Sequence, residues 1–296
     1  MALPSSGPLS IGNIRTELGS TSGSLRALSA LAGFTSPDSI SEFYGYGNGY
    51  FYPAVPFING FDFSVSSKYS NSGSAIDDLS TYNWDGTFVT GTGNGTAATI
   101  DQYTATAPGY MTIPGDSNQK SIRLNDNMKF SGTGVHTMVV WFRVTSFTSS
   151  YPGIIGSEGR SSGGQPIGYA LYLDNTSTFN LNFIRYSGTS GTGQNIQLRF
   201  SSGGVPAFAY DTWYMASIRF DGSVMALSLH AGGNRYDVSA SNSYSLATST
   251  SWSAFLGLRY NNWLNGRIAY YCAYGSVLTT TMLDTIFTNT RGRYGV

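Results

Sequence analysis

Residues Thr212–Gly233, TWYMASIRFDGSVMALSLHAGG, carry the pattern that decides the fold. Two apolar runs, Trp213 to Phe220 and Val224 to His230, flank the dipeptide Asp221-Gly222. Asp-Gly between apolar runs is a compact hairpin signal, because glycine closes the turn at positive φ without steric cost. The same texture recurs on both sides: Met138–Val144, Tyr169–Leu173, Phe179–Tyr186, Ile196–Phe200, Ala254–Tyr260 and Arg267–Tyr274, separated by Gly, Ser, Asn and Thr. Short strands punctuated by turn residues predict an all-β sandwich or barrel.

Composition narrows the class. Of 296 residues only 11% are charged, against about 25% in a typical soluble domain. Gly, Ser, Thr, Asn and 21 Tyr take their place, a surface texture common in extracellular and virion proteins. The formal net charge is zero, with no basic stripe for phosphates. Nucleic acid and electrostatic membrane docking are therefore not expected partners. No run approaches 18 apolar residues, and MALPSSGPLS lacks the charged and apolar regions of a secretory signal. The single Cys272 permits no intrachain disulfide, which suits folding in a reducing cytosol for later use outside the cell.

The first 45 residues differ. Ser10 precedes Ile11, Ile14 and Leu18, and Gly19 follows; Ser24 precedes Leu25, Leu28 and Leu31, and Gly33 follows. Each set reads as a short capped helix with a glycine stop. Ser39 to Tyr44, with Phe43, reads as a third helical turn. Helices this short are marginal alone, so their apolar faces need a partner: the chain's own sandwich or another subunit. As an assembly anchor the candidates are Ile11, Ile14, Leu18, Leu25, Leu28, Leu31, Phe43 and Tyr44. Residues 46–56, YGNGYFYPAVP, read as a Gly/Tyr/Pro linker. The expected organisation is thus a helical anchor over 1–45, the linker, and a β domain over 57–296. Thr279 to Thr281 before Met282, Leu283, Ile286 and Phe287 predicts a short capped helix within that domain.

Four ordered blocks carry a resemblance. Phe61–Val89 holds an Asp-Leu-Ser turn and a Gly-Thr strand; Ser121–Phe147 holds a tryptophan strand; Thr212–Gly233 holds the central hairpin; Phe255–Gly295 holds an Asn-Gly-Arg-Ile strand, a helix start and a terminal Arg-Tyr-Gly. Together they resemble the laminin-G-like, concanavalin A-like jelly-roll family as it occurs in tailed-phage virions. The start, with Arg-x-x-Leu-Gly, Leu-Ala-Gly and a Ser-x-Phe-Tyr-Gly-like close, resembles a segment recurrent in phage structural proteins. The resemblance implies a two-sheet antiparallel jelly-roll sandwich after a short helical segment. It also implies a virion structural protein made in the host cytoplasm, homo-oligomeric within the particle and contacting other virion proteins. A tail-associated fibre or adhesin touching a host-surface glycan is the leading expectation. A capsid decoration protein and a cellular carbohydrate-binding module are the alternatives.

Catalytic chemistry is not expected. A glycosidase needs two carboxylates flanking the scissile bond. The three glutamates are Glu17 and Glu42 in the helical segment and Glu158 alone in a Gly/Ser loop. His136 and His230 stand on different strands without ligand spacing. No cofactor is expected, and calcium has only weak candidates in the loop residues Asp126, Asp174 and Asp221, which read equally as turn caps. A glycan presents apolar C–H faces rimmed by hydroxyls, so it calls for exposed rings beside amides. Tyr260-Asn261-Asn262-Trp263, in a turn, is the best cluster, and Tyr151 in SSYPG is a second loop aromatic. Packing of Trp263 against the N-terminal segment or a neighbouring subunit is the competing reading.

Overall fold

The computed structural model describes residues 3, 7–18, 20–31, 38–44, 55–64, 68–91, 95–105, 109–115, 119–130, 134–160, 166–175, 179–188, 193–201, 204–242, 245 and 253–296. The deciding hairpin is present, as Trp213–Phe220 against Val224–Ala231. Alternation sets its faces: Tyr214, Ala216, Ile218 and Phe220 enter the core with Met225, Leu227, Leu229 and Ala231. Gly222 takes φ 102°, and the Asp221 carboxylate accepts from the Ser223 and Val224 amides at 2.8 and 2.7 Å. Those bonds hold the Asp221 carboxyl below its usual range, so this calcium candidate is a turn cap.

The strands form two antiparallel sheets packed face to face. The first runs Asn234–Ser241, Val224–Ala231, Trp213–Phe220, His136–Val144, Asn265–Tyr274, Tyr110–Pro114, Tyr103–Thr104, with Asn59–Asp62 on the far half of Asn265–Tyr274. The second runs Gly193–Arg199, Asn180–Ser187, Pro166–Asp174, Gly153–Gly156, Phe255–Leu256, Lys120–Arg123, Gly86–Thr90, Ala75–Ile76. Neighbours far apart in sequence mark the crossovers of a jelly roll. Between the sheets one continuous core gathers Phe61, Phe88, Ile122, Val140, Phe142, Tyr169, Leu171, Phe183, Ile218, Leu227 and Tyr271.

The expected strand over Ala254–Tyr260 is instead two strands, Phe255–Leu256 and Leu258–Arg259, broken at Gly257 with φ 81°. Leu258–Arg259 then pairs with Asn262–Trp263 as a separate hairpin. A Cβ at Gly153 would collide with the Leu258–Arg259 backbone, and one at Gly156 would meet Leu258 O at 2.6 Å. The two glycines therefore let this hairpin lie directly on the second sheet.

The chain divides into two compact units, Phe57–Leu278 and Met1–Pro56 together with Thr279–Val296. The expected β domain ran on to 296, whereas the closing helix, Thr280–Tyr294, is grouped with the N-terminal residues. The N-terminal helices are Ile11–Leu18 and Leu25–Leu31, followed by a 3₁₀ turn at Ile40–Phe43. Ser10 Oγ accepts from Asn13 N at 3.1 Å, and Ser39 Oγ from Ser41 N at 3.1 Å. Ile14, Leu28 and Phe43 bury against Leu3, with Ile11 and Leu25 packed on them. Tyr44 is exposed and its hydroxyl donates to Gly7 O at 2.8 Å. The side chains of Leu18 and Leu31, and residues 46–54 of the linker, lie outside the described residues.

The Asp-Leu-Ser turn has a physical role. Asp78 Oδ1 accepts from the Gly60 and Ser80 amides at 2.8 and 3.0 Å, and Oδ2 from the Trp84 amide at 2.8 Å and the Ser80 hydroxyl. One buried carboxylate thus ties the opening strand to the loop before Gly86–Thr90. Asp78→Ala strands those donors and is expected to lower stability by about 2–3 kcal/mol in urea unfolding. Asp78→Asn, keeping one acceptor oxygen, should fall between.

Candidate functional site: an aromatic rim

Trp263, the centre of the expected glycan cluster, is 2% exposed. It packs with Val89, Phe255 and Leu258 in a small second core under the Leu258–Trp263 hairpin. Its ring is buried, and its neighbours belong to the sandwich itself rather than to the N-terminal segment or another subunit, the partners that the competing reading named. The cause is the break at Gly257, which turns the hairpin back onto the sheet. Asn261 is exposed and Asn262 half-buried; Tyr260, at φ 53°, is half-buried and donates its hydroxyl to Gly159 O at 3.1 Å.

Tyr151 does remain at the surface, 38% exposed. It leads to an exposed aromatic surface that the sequence reading missed. The loop after His136–Val144 reads Thr145-Ser146-Phe147-Thr148-Ser149-Ser150-Tyr151, aromatics interleaved with hydroxyls. Phe147 stacks on Phe179 at 5.5 Å with rings 15° apart, and meets Phe208 at 5.4 Å and Tyr210 edge-on at 5.6 Å. Phe179 also stacks on Phe208 at 5.2 Å. Phe179 is 39% and Tyr210 47% exposed, while Phe147 and Phe208 are half-buried on the core. Tyr151, four residues further along the loop, meets Tyr172 edge-on at 6.3 Å.

Three chain segments converge here, and each is pinned. Asn265 O accepts from Thr145 N at 2.9 Å and Asn265 Nδ2 donates to Ser146 Oγ at 2.6 Å. Asn175 N donates to Ser150 O at 3.2 Å, and Leu173 N to Pro152 O at 3.0 Å. Asp211, at φ 56°, donates its amide to Val144 O at 2.8 Å and accepts from Arg143 Nε at 3.0 Å. The rings therefore stand on a fixed frame. A stacked aromatic platform beside a loop with exposed Thr145, Thr148 and Ser150 can take the apolar face of a sugar while the loop offers hydroxyls to hydrogen-bond. The signal was weak in sequence because Phe147, Phe179 and Phe208 stand alone in three separate loops.

Beside Tyr151 lies a charged pair that sequence reasoning also missed. Glu158, expected alone in a loop, is fully buried and bound by both Arg259 Nε and Arg259 Nη2, the latter at 3.1 Å. The Arg259 guanidinium lies 3.6 Å over the Tyr172 ring and 5.7 Å from that of Tyr151. Burial works against the charge on Arg259, but the field and hydrogen bonds of Glu158 outweigh it, so its pKa rises. Tyr186 hydrogen-bonds Glu158, and desolvation raises the Tyr186 phenol. Both Glu158 oxygens are thus engaged by Arg259 in a buried ion pair.

The remaining calcium candidates do not converge. Asp126 accepts from Lys129 at 3.0 Å and Ser253 at 3.0 Å, and Asp174 sits across from Asn180 in the strand register. Among the described residues no three His, Cys, Asp or Glu side chains come together. Cys272 is buried, and desolvation pushes its thiol up, away from reactivity.

No protein-family model matches the chain, and no curated protein does. Solved structures match in fold. The botulinum neurotoxin serotype G binding domain superposes with TM-score 0.53 at 11% identity, covering 78% of this chain and 50% of that one. The serotype D ligand-binding domain in complex with N-acetylneuraminic acid gives 0.52 at 14%, covering 78% and 50%. Domain 4 of an extracellular arabinanase from Geobacillus stearothermophilus, in complex with arabinotriose, gives 0.51 at 16%, covering 77% and 97%. The chain thus spans about half the length of the neurotoxin domains and nearly all of the arabinanase domain. At these identities the likeness establishes the β-sandwich fold alone.

Proposed function

We propose that this chain is a non-catalytic virion structural protein of a tailed phage, a tail-associated fibre or adhesin component, whose jelly roll contacts host-surface glycans. The observation that carries the reading is the cluster of Phe147, Phe179, Phe208 and Tyr210, packed rings on a pinned frame beside a Ser/Thr loop that also presents Tyr151. The fold it shares with sandwich domains solved with arabinotriose and N-acetylneuraminic acid supports the same reading. The N-terminal helices, with their own small core, supply the anchor to other virion proteins, and copies arrayed on a particle turn weak single-site contact into avidity.

A glycan array probed with the full chain tests the binding half. Phe179→Ala with Tyr210→Ala is expected to weaken array binding at least tenfold while the fold is kept, because the two rings are 39% and 47% exposed and lie at the surface of the core rather than within it. Silence of the array, or equal binding by the variant, overturns glycan contact. Silence joined to particle fragility on deletion establishes the capsid-decoration alternative instead. Immunogold labelling of purified particles tests the virion half; unlabelled particles and a lone monomer in solution sink it.

A further inference from the structure

Away from the rim, the second sheet carries a cleft of about 420 Å³ lined by Asp85, Thr87, Arg123, Asn125, Asp126 and Ser253. Its walls are fixed from behind. Asp85 Oδ1 accepts from Asp78 N at 2.9 Å, and Asn125 Oδ1 from Asn127 N at 3.1 Å. Thr87 stands across from Arg123, which stands across from Phe255, in the strand register. Ser253 Oγ and Lys129 Nζ both donate to Asp126 Oδ1 at 3.0 Å. Among the described residues, Asp85 Oδ2, Asn125 Nδ2 and Thr87 Oγ1 make no hydrogen bond. They are an acceptor, a donor and a group that does both, held in one concavity.

Charge selects what fits. Asp85 and Asp126 stand against Arg123 in the lining, and Lys129 pairs with Asp126 from outside it, so the cleft carries no single sign that would favour a simple anion or a simple cation. What remains is a neutral ligand whose groups both donate and accept, the hydrogen-bonding character of a sugar hydroxyl. We propose that this cleft binds one residue of a neutral saccharide, as a second glycan subsite separate from the aromatic rim. Adjacent hydroxyls donate to Asp85 and accept from Asn125, and Thr87 completes the set. The chain entering the cleft also carries the ring pair Tyr82 and Trp84, 4.9 Å apart, one to three residues before Asp85. The inference rests on the glycan reading but on different residues.

Amide NMR titration of the full chain tests it, with methyl α-glucopyranoside, methyl β-galactopyranoside and N-acetylglucosamine as neutral probes, and N-acetylneuraminic acid and calcium chloride as charged ones. A neutral probe is expected to shift the Asn125 side-chain amide and the backbone at 85–87 and 123–126. Thr87→Val and Asn125→Asp, which keep shape, should each weaken that response about three- to tenfold, one hydrogen bond's worth. Phe179→Ala should leave it unchanged. The inference is overturned if no neutral probe shifts the cleft, if a charged probe shifts it more, or if both variants respond as the parent does. Cleft shifts that persist when rim variants still bind the array sink the rim and leave the cleft. Rim-dependent array binding with a silent cleft does the reverse.

Discussion

Arg259→Ala is expected to lower folding stability by about 3–5 kcal/mol, the range for stripping one partner from a buried ion pair. The size follows from what is left behind. The Glu158 side chain has no exposed surface, and the Arg259 side chain is 12% exposed. Without the guanidinium, a desolvated carboxylate keeps only the Tyr186 hydroxyl. The Tyr172 ring also loses the cation stacked on it at 3.6 Å. Arg259→Lys should recover little, since an ammonium cannot reach both carboxylate oxygens in the planar fork. Replacing Glu158 and Arg259 together by Gln and Met should cost much less than the sum of the two single changes, because no charge is then buried alone. Urea unfolding of the four proteins closes a double-mutant cycle. A coupling below about 1 kcal/mol would mean that the pair is solvated in solution.

That pair shows where sequence was legible and where it was not. The Trp213–Phe220 and Val224–Ala231 hairpin was readable because alternation, turn residue and length all agree within one window. The capped helices were readable for the same local reason, with Ser10 and Thr279 each accepting from the amide three residues on. Glu158 and Arg259 are 101 residues apart, and only the hairpin turned back at Gly257 brings them together. The same turn buries Trp263, which from its neighbours Tyr260, Asn261 and Asn262 looked like a surface ring. The rim escaped notice because its rings come from three loops, none remarkable alone, whose meeting depends on Asp211 and Asn265 holding the chain. Local patterns thus set the elements, while the site depends on long-range closure.

The second large effect concerns acid. His136 lies inside the sandwich, stacked on Phe130 at 4.2 Å, with Tyr169 and Phe220 about 6 Å away. Its Nδ1 is 2.8 Å from Gly134 O, so Nδ1–H donates, and the buried Nε2 has no hydrogen-bond partner among the described residues. Arg185, itself buried with its guanidinium 3.4 Å over Phe220, faces the same space. Desolvation, with the Arg185 charge adding and the Gly134 bond opposing, lowers the His136 pKa from 6.5 to about 4. The unfolded chain therefore takes up this proton near pH 6.5 and the folded chain only near 4. Stability is full above 6.5 and drains as pH falls to about 4, by roughly 3 kcal/mol at about 1.4 kcal/mol per pH unit. The carboxyls of Asp101, Asp126, Asp221 and Asp237 are all held below their usual 3.8, so their contribution to acid loss comes mainly below this window. His136→Phe keeps the stack on Phe130 and removes the titration. Urea midpoints from pH 7 to 4 should slope for the parent and lie nearly flat for the variant, whatever their offset at neutral pH. Equal slopes would assign the acid loss to other groups and require the imidazole to be hydrated in the folded state.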